Sequence, residues 1–254
     1  MESKRHESTG MNKAGSRKAA VSTLPGSPLS DRYTSNPIFS ALTEKDLREL
    51  ISRGRNKSFK KGTTIFLRGD EGAWVLLLEE GMVEISVVSL NGRKSILNLM
   101  EPYDIVGEIA LLDNEPRSAS AVAKTDVSGI VLSRKTMMDF LGDNPQACFE
   151  IIHTLCKRVR NTSDLYEAQS LPNANARLAR CILRLAEKWG EPVTGGATRV
   201  TQQLSQTELG EISGIARENV NRYLNAWTKS AILRFDKGFI TVIDKEQLED
   251  IAEI

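Results

Sequence analysis

The sequence predicts an α+β chain in three parts, an N-terminal β-roll, one long helix and a C-terminal winged helical module. Three observations carry this. Between Lys57 and Arg134, short runs rich in Val, Ile and Leu are punctuated by Gly62, Gly69, Gly81, Gly92 and Gly107, the rhythm of many short strands closing on one another. From Lys135 to Ser170 apolar residues recur every three or four positions, a helical period. Beyond Pro172 the pattern stays helical to about Ser230 and ends in two short apolar segments around Lys237-Gly238.

Taken in order, residues 1–37 carry Ser, Gly, Thr, Lys and Arg with few large apolar side chains, so a disordered arm is expected. Its basic residues Lys4, Arg5, Lys13, Arg17, Lys18 and Arg32 outweigh Glu2, Glu7 and Asp31. That suits a solvated tail, with weak contact to DNA or a partner as the alternative. The roll is expected over 38–135. A short helix opens it, since the apolar spacing from Ile38 to Ser52 is helical. Trp74 to Leu78, Val83 to Val88 and Ser95 to Leu99 read as strands, with Asn91-Gly92 as a hairpin turn of the preferred type.

The long helix is expected over 136–171, interrupted near Gly142 to Pro145. Phe149, Ile152, Cys156, Val159, Ser163 and Tyr166 form one stripe, with Lys157, Arg158, Arg160 and Asp164 off it. The stripe suits a two-helix seam, making this a dimerisation helix and the protein a homodimer; packing on its own roll is the alternative. Leu171-Pro172-Asn173 breaks the helix, because Pro cannot continue it and Asn caps the next, so the last domain is expected over 172–254.

Composition excludes several functions. The 254 residues balance 34 Lys+Arg against 33 Asp+Glu for a formal charge of +1, so affinity for nucleic acid must be local. No apolar run approaches the ~20 residues that span a bilayer, and the N-terminus lacks the apolar core of a secretory signal; a cytoplasmic protein with no membrane partner is expected. Cys148, Cys156 and Cys181 are scattered and only His6 and His153 could join them, so no metal is expected. Neither a G-x-x-x-x-G-K loop nor a nucleophile–base pair is present, and no catalysis is expected.

Two stretches carry chemistry. In Gly107-Glu108-Ile109-Ala110-Leu111-Leu112 followed by Pro116-Arg117-Ser118-Ala119, a glycine admits close backbone approach to an anion. The short turn at Ile109 and Ala110 supplies N–H groups, and Arg117 offers a planar fork to phosphate oxygens. Glu108 adds an acceptor for a sugar hydroxyl. From the residues alone, a surface turn holding an Arg–Glu ion pair is an equal reading.

Downstream, Ser205-Gln206-Thr207-Glu208 is a capping box. It opens a helix that Ser213-Gly214 ends, and a second helix begins at Ala216-Arg217: helix, turn, helix. At ~100° per residue, Arg217, Asn221, Glu218 and Arg222 share one exposed arc of the second helix. Arg pairs with G, Glu accepts from C, and Asn pairs with adenine, so the arc suits major-groove reading. Residues 171–254 hold equal numbers of basic and acidic residues, which leaves a protein-docking domain open as the alternative. Ser205, Thr207 and Asn219 complete the expected DNA-contacting set.

The first stretch resembles the phosphate-binding cassette of cyclic-nucleotide-binding domains, G-E-x-A-L-x, a gap ending in Pro, then R-[SAT]-A. Phe59, Gly62, Phe66, Gly69-Asp70 and Gly81 sit where such β-rolls carry turn and core residues. The second resembles the winged helix-turn-helix of the Crp/Fnr family, where R-E-x-x-x-R reads a TGTGA-type half-site, here Arg217-Glu218-x-x-x-Arg222; Ala216 replaces a usual Ser cap, and Asn221 a small residue. The resemblance spans roughly residues 38–245. It implies that Arg117 and the Ser118 hydroxyl hold a cyclic phosphate, Glu108 the ribose 2′-hydroxyl, and Gly107 a close backbone contact. Asn161-Thr162-Ser163-Asp164 stands where cyclic-nucleotide-responsive members carry Thr-Ser, with Arg158 one turn earlier. Thr162 is then expected at the purine of its own chain and Ser163 at that of the partner. No cysteine precedes Cys148, as an iron–sulfur sensor would need, and neither histidine lies in the roll, as a haem sensor would need. Implied, then, is a transcription regulator switched by cyclic AMP or cyclic GMP, with double-stranded DNA, a second copy of the chain and RNA polymerase as partners. The alternatives are a regulator with another effector or none, and a nucleotide-binding adaptor that docks a protein.

Overall fold

The computed structural model describes residues 43–171 and 173–253; the expected arm and the start of the first helix, 38–42, lie outside the described residues. Helix α1 (Glu44–Ser52) is opened by Thr43, whose hydroxyl accepts from the Asp46 N–H, and it buries Leu47 and Leu50. Eight strands follow: β1 (Arg55–Phe59), β2 (Thr64–Phe66), β3 (Trp74–Glu80), β4 (Val83–Val88), β5 (Lys94–Met100), β6 (Ile105–Val106), β7 (Ser120–Ala123) and β8 (Val127–Ser133), with the short helix α2 (Glu108–Asp113) between β6 and β7. They form two antiparallel four-stranded sheets, β1-β8-β3-β6 and β2-β7-β4-β5.

The period-2 alternation of β3 fixes how this roll is filled. Leu76 and Leu78 point to the inner core with Phe66, Val83, Met100 and Val106. Val75 and Leu77 point to a second core shared with Leu47 and Leu50 of α1. Both faces of β3 are therefore covered, which is why its sequence reads as an unbroken apolar run. The β4–β5 hairpin departs from the expected tight turn. Ser89 N–H donates to the Arg93 carbonyl at 3.0 Å, leaving three residues in the loop, and of these Gly92 takes the positive φ (78°), the three-residue form.

Helix α3 (Arg134–Asp143) and the 26-residue α4 (Pro145–Ser170) meet at Asn144, with Pro145 in the first turn of α4. Proline there loses no needed N–H, which accounts for the interruption. Helix α4 packs Ala147, Ile151, Leu165 and Ala168 inward. Its other face carries Phe149, Ile152, Val159 and Tyr166, all more than half exposed.

Helix α5 (Ala174–Trp189), capped by Asn173, leads through β9 (Gly190–Pro192) and β10 (Thr198–Val200) to α6 (Gln206–Ser213) and α7 (Arg217–Lys229), then to β11 (Leu233–Asp236), β12 (Phe239–Val242) and α8 (Lys245–Glu253). The wing is the sheet β11-β12-β10-β9. Its core, built on Leu178, Ile182, Leu209, Val220, Leu224 and Leu233, also takes in Met82, Ile96 and Leu99 of the roll. The two parts are thus packed on each other. Polar contacts ring that junction: Lys124 pairs with Glu208, Lys94 with Glu84 at 2.7 Å and Glu211 at 3.3 Å, and the Arg93 guanidinium donates to the Gly214 carbonyl. Among the described residues no helix is long and apolar enough to cross a membrane.

Candidate functional site

The first site is built where β6 turns into α2. Gly107 ends the strand at φ 90°, ψ 18°, a left-handed conformation that suits glycine. A Cβ there would lie 2.3 Å from Nη1 of Arg117 and 3.2 Å from the Phe66 ring. Arg117 occupies that space. It is only 2% exposed and donates to the Gly107 carbonyl and to the Trp74 carbonyl, each at 2.6 Å. Its guanidinium carbon lies 4.2 Å from the centre of the Phe66 ring and 4.8 Å from that of Trp74, a cation–π clamp.

Two consequences follow from that burial. Nε of Arg117 has no partner, an uncommon state for a buried donor. Desolvation pulls the guanidinium below its ordinary pKa, while the charges of Glu108 and Asp70 act the other way. A fixed cation with an unspent donor is suited to an anion arriving in the pocket.

Glu108, 4% exposed, is paired with Nη1 of Arg158, whose Nη2 also donates to the Ile105 carbonyl at 2.8 Å. Arg158 therefore ties α4 to the site. Around these groups Phe66, Ile85, Met100 and Val106 form the apolar wall, and Ile109, Ala110, Ser118 and Ala119 the rim, of a cavity of about 50 Å³. Gly107, Glu108, Ile109, Ala110, Arg117, Ser118 and Arg158 are thus brought together. Thr162 and Ser163 are not among the lining residues: both are exposed, and their hydroxyls donate to the carbonyls of Arg158 at 2.9 Å and Val159 at 3.1 Å. A hydroxyl so placed satisfies its own helix. Sequence reasoning placed Phe66 in the core but missed the aromatic clamp, because Phe66, Trp74 and Arg117 come from separate segments.

The second site lies on α6 and α7. Ser205 and Glu208 form the reciprocal capping box, with Ser205 N–H donating to Glu208 Oε2 at 2.7 Å. Gly214, at φ 69°, makes the turn between the helices. Ala216 contributes no side-chain cap to α7, and Val220, Leu224 and Trp227 hold that helix inward. Arg217, Glu218, Asn221 and Arg222 are exposed, and Asn219 is half-buried. Arg222 donates to the Tyr223 hydroxyl at 3.2 Å and sits 5.0 Å from the centre of its ring, and Tyr223 stacks in turn on Trp227. Ser205, Thr207 and Arg217 open into a cleft of about 640 Å³, whose opposite wall is Lys61, Met82, Lys124 and Thr125 of the roll. Another gap of about 450 Å³ lies between β5, α4 and α5. Both are spaces between packed parts, and neither contains the cassette. Among the described residues no group of three or more His, Cys, Asp or Glu is placed to hold a metal ion.

Residues 56–144 match the cyclic nucleotide-binding domain family and residues 176–251 the Crp-like helix-turn-helix domain family. The chain is 28% identical over 211 residues to the CRP-like cAMP-activated global transcriptional regulator of Mycobacterium tuberculosis, covering 83% of this chain and 94% of that one. The cyclic AMP receptor protein of Thermus thermophilus is 28% identical over 217 residues, covering 85% of this chain and 97% of that one. A solved transcriptional regulator of the CRP family, also from Thermus thermophilus, superposes with a TM-score of 0.64 at 25% identity, over 78% of this chain and 97% of that one.

Proposed function

The chain belongs to the Crp/Fnr family of transcription regulators, and from that membership we propose that it is a homodimeric regulator switched by cyclic AMP or cyclic GMP. It reads a palindromic TGTGA-like site in double-stranded DNA and hands the signal to RNA polymerase. The observation that carries the effector is the buried Arg117 guanidinium with its unpartnered Nε beside a glycine that leaves space for it. Arg117 and Ser118 take the cyclic phosphate. Glu108 accepts from the ribose 2′-hydroxyl. The relatives named for cyclic AMP support the choice of nucleotide.

The switch follows from the bond a ribose competes with. Glu108 is held by Arg158, so a hydroxyl that takes the carboxylate loosens the tie between pocket and α4. The far end of α4 touches the DNA-reading part, where the Gln169 amide donates to the Ile212 carbonyl at 3.3 Å. A shift of α4 is therefore felt at α6. The exposed stripe Phe149, Ile152, Val159 and Tyr166 is the seam for the second copy, and across it Ser163 reaches the partner's ligand while Thr162 meets its own. Arg217 faces the roll across a cleft lined by Lys61 and Lys124, so the DNA-reading part swings away from the roll to engage a duplex. The nucleotide is bound and released unchanged.

Calorimetric titration with cyclic AMP and cyclic GMP tests this. At least one is expected to bind wild type and to be recovered intact, and Arg117→Ala is expected to bind about 30-fold more weakly or worse, since a charge-assisted pair to a desolvated phosphate is lost. Equal affinity in the variant, or no binding of either nucleotide by wild type, overturns the reading. A second reading, another effector in the same pocket, draws on the hydroxyls of Thr162 and Ser163, which are spent on their own helix.

A further inference from the structure

Asn221 stands on the exposed arc of α7, and its side chain is already committed. Its Oδ1 accepts from Nε2 of Gln206, in the first turn of α6, at 3.3 Å, and from Nδ2 of Asn225, one turn along α7, at 3.0 Å. Both bonds converge on one atom. An amide oxygen has two lone pairs, so this one is filled, and the group Asn221 has left to offer is its NH₂, a pair of donors. Adenine asks for something else. Its major-groove edge alternates an acceptor, N7, with a donor, the N6 amine, and an asparagine reads it with one donor and one acceptor together. Guanine presents two acceptors, N7 and O6. Turning all three amides over would leave Asn221 an acceptor alone, matched to the cytosine amine. Neither arrangement supplies the mixed pair that adenine takes.

We propose that Asn221 is a specificity-determining residue that favours guanine over adenine at one position of each half-site, with Gln206 and Asn225 as the positioning residues that fix which edge of its amide faces the groove. The Gln206 bond also ties the first helix of the motif to the second across their exposed side, in addition to the buried core that holds Leu209 and Val220. The proposal rests on the DNA-binding reading above. It replaces the adenine contact that the position of Asn221 on the helix suggests by itself, because helical position sets where a side chain lies but not which of its atoms are still available.

The experiment is selection of bound duplexes from a pool randomised across a half-site, using the full chain with cyclic AMP present. Wild type is expected to enrich guanine over adenine about tenfold at one position, the order of a single good base contact. Asn221→Gly is expected to lose that preference and keep those at neighbouring positions. The double variant Gln206→Ala with Asn225→Ala retains Asn221 but frees its oxygen, and is expected to admit adenine, levelling the ratio. All these side chains are at the surface, and circular dichroism checks that the variants fold. Adenine or cytosine in place of guanine at the one position whose preference changes in Asn221→Gly, a guanine preference at every position that survives Asn221→Gly, or a uniform affinity loss in that variant, as a phosphate contact would give, each overturns the proposal. A wild type that enriches no duplex sequence at all overturns the DNA-binding reading beneath it.

Discussion

At Gly107 the backbone sits at φ 90° and the space beside it belongs to Arg117, so two independent costs meet in Gly107→Ala. The left-handed conformation disfavours alanine by about 1 kcal/mol, and the added methyl would lie 2.3 Å from a guanidinium nitrogen. The variant is expected to melt several degrees lower and to bind nucleotide more weakly, checked by thermal denaturation and titration together. Cys181 presents the opposite situation, a side chain that belongs wholly to the core. Burial pushes its thiol from an ordinary 9.0 up to about 12, so its contribution to stability is intact below pH 9 and is lost as the pH rises towards 12, because the unfolded chain ionises first. Under native conditions an alkylating reagent is expected to leave Cys181 unlabelled, and to reach it once the chain is unfolded by denaturant, with mass spectrometry locating the adduct. The cassette residues were legible because they are consecutive or nearly so, and local spacing is what a sequence displays directly. The ring clamp was not, since Phe66 and Trp74 reach Arg117 from strands 51 and 43 residues away in the numbering.

Among the elements, α4 decides most. Its inward residues Ala147, Ile151, Leu165 and Ala168 are buried while the stripe at Ile152, Val159 and Tyr166 is left to solvent in the single chain. Val159→Glu places a charge in the centre of that stripe without touching the inward face, and is expected to yield monomers in sedimentation while leaving the roll folded; wild type is expected to sediment as a dimer. Burying a valine is worth about 1.5–3 kcal/mol per side, and a desolvated carboxylate costs more. The period of this stripe was visible in the sequence, as was the break, because Pro145 and Asn144 have local conformational effects. What the spacing did not display is the rotamer-level fate of Thr162 and Ser163. Their hydroxyls lie ~100° apart around the helix, yet each turns back to a carbonyl four residues earlier, a competition settled by backbone geometry. For the same reason Ala216 was legible as a missing cap but Asn221 was not legible as a committed amide, its partner Gln206 lying 15 residues upstream.

For the whole molecule the decisive fact is that the roll and the DNA-reading part share one core. Sequence patterning separated them at Leu171–Asn173 and had no means of pairing Met82, Ile96 and Leu99 with Leu209 and Ile212, because which surfaces meet across a hinge is a tertiary matter that no local period encodes. Lys124 lies at that junction, largely buried and paired with Glu208. Lys124→Ala leaves the cassette untouched and is expected to raise DNA affinity several-fold in the absence of nucleotide, read by fluorescence anisotropy with a labelled duplex; unchanged affinity would show that the junction does not oppose DNA binding. In the proposed switch, swinging the DNA-reading part away from the roll would wet Met82, Ile96 and Leu99. Apolar side chains entering water raise the heat capacity, and the attraction between them weakens on cooling. The apolar part of the junction's grip is therefore expected to be firmer in a warm cell than in a chilled one, making it a thermometer as well as a latch in the proposed switch.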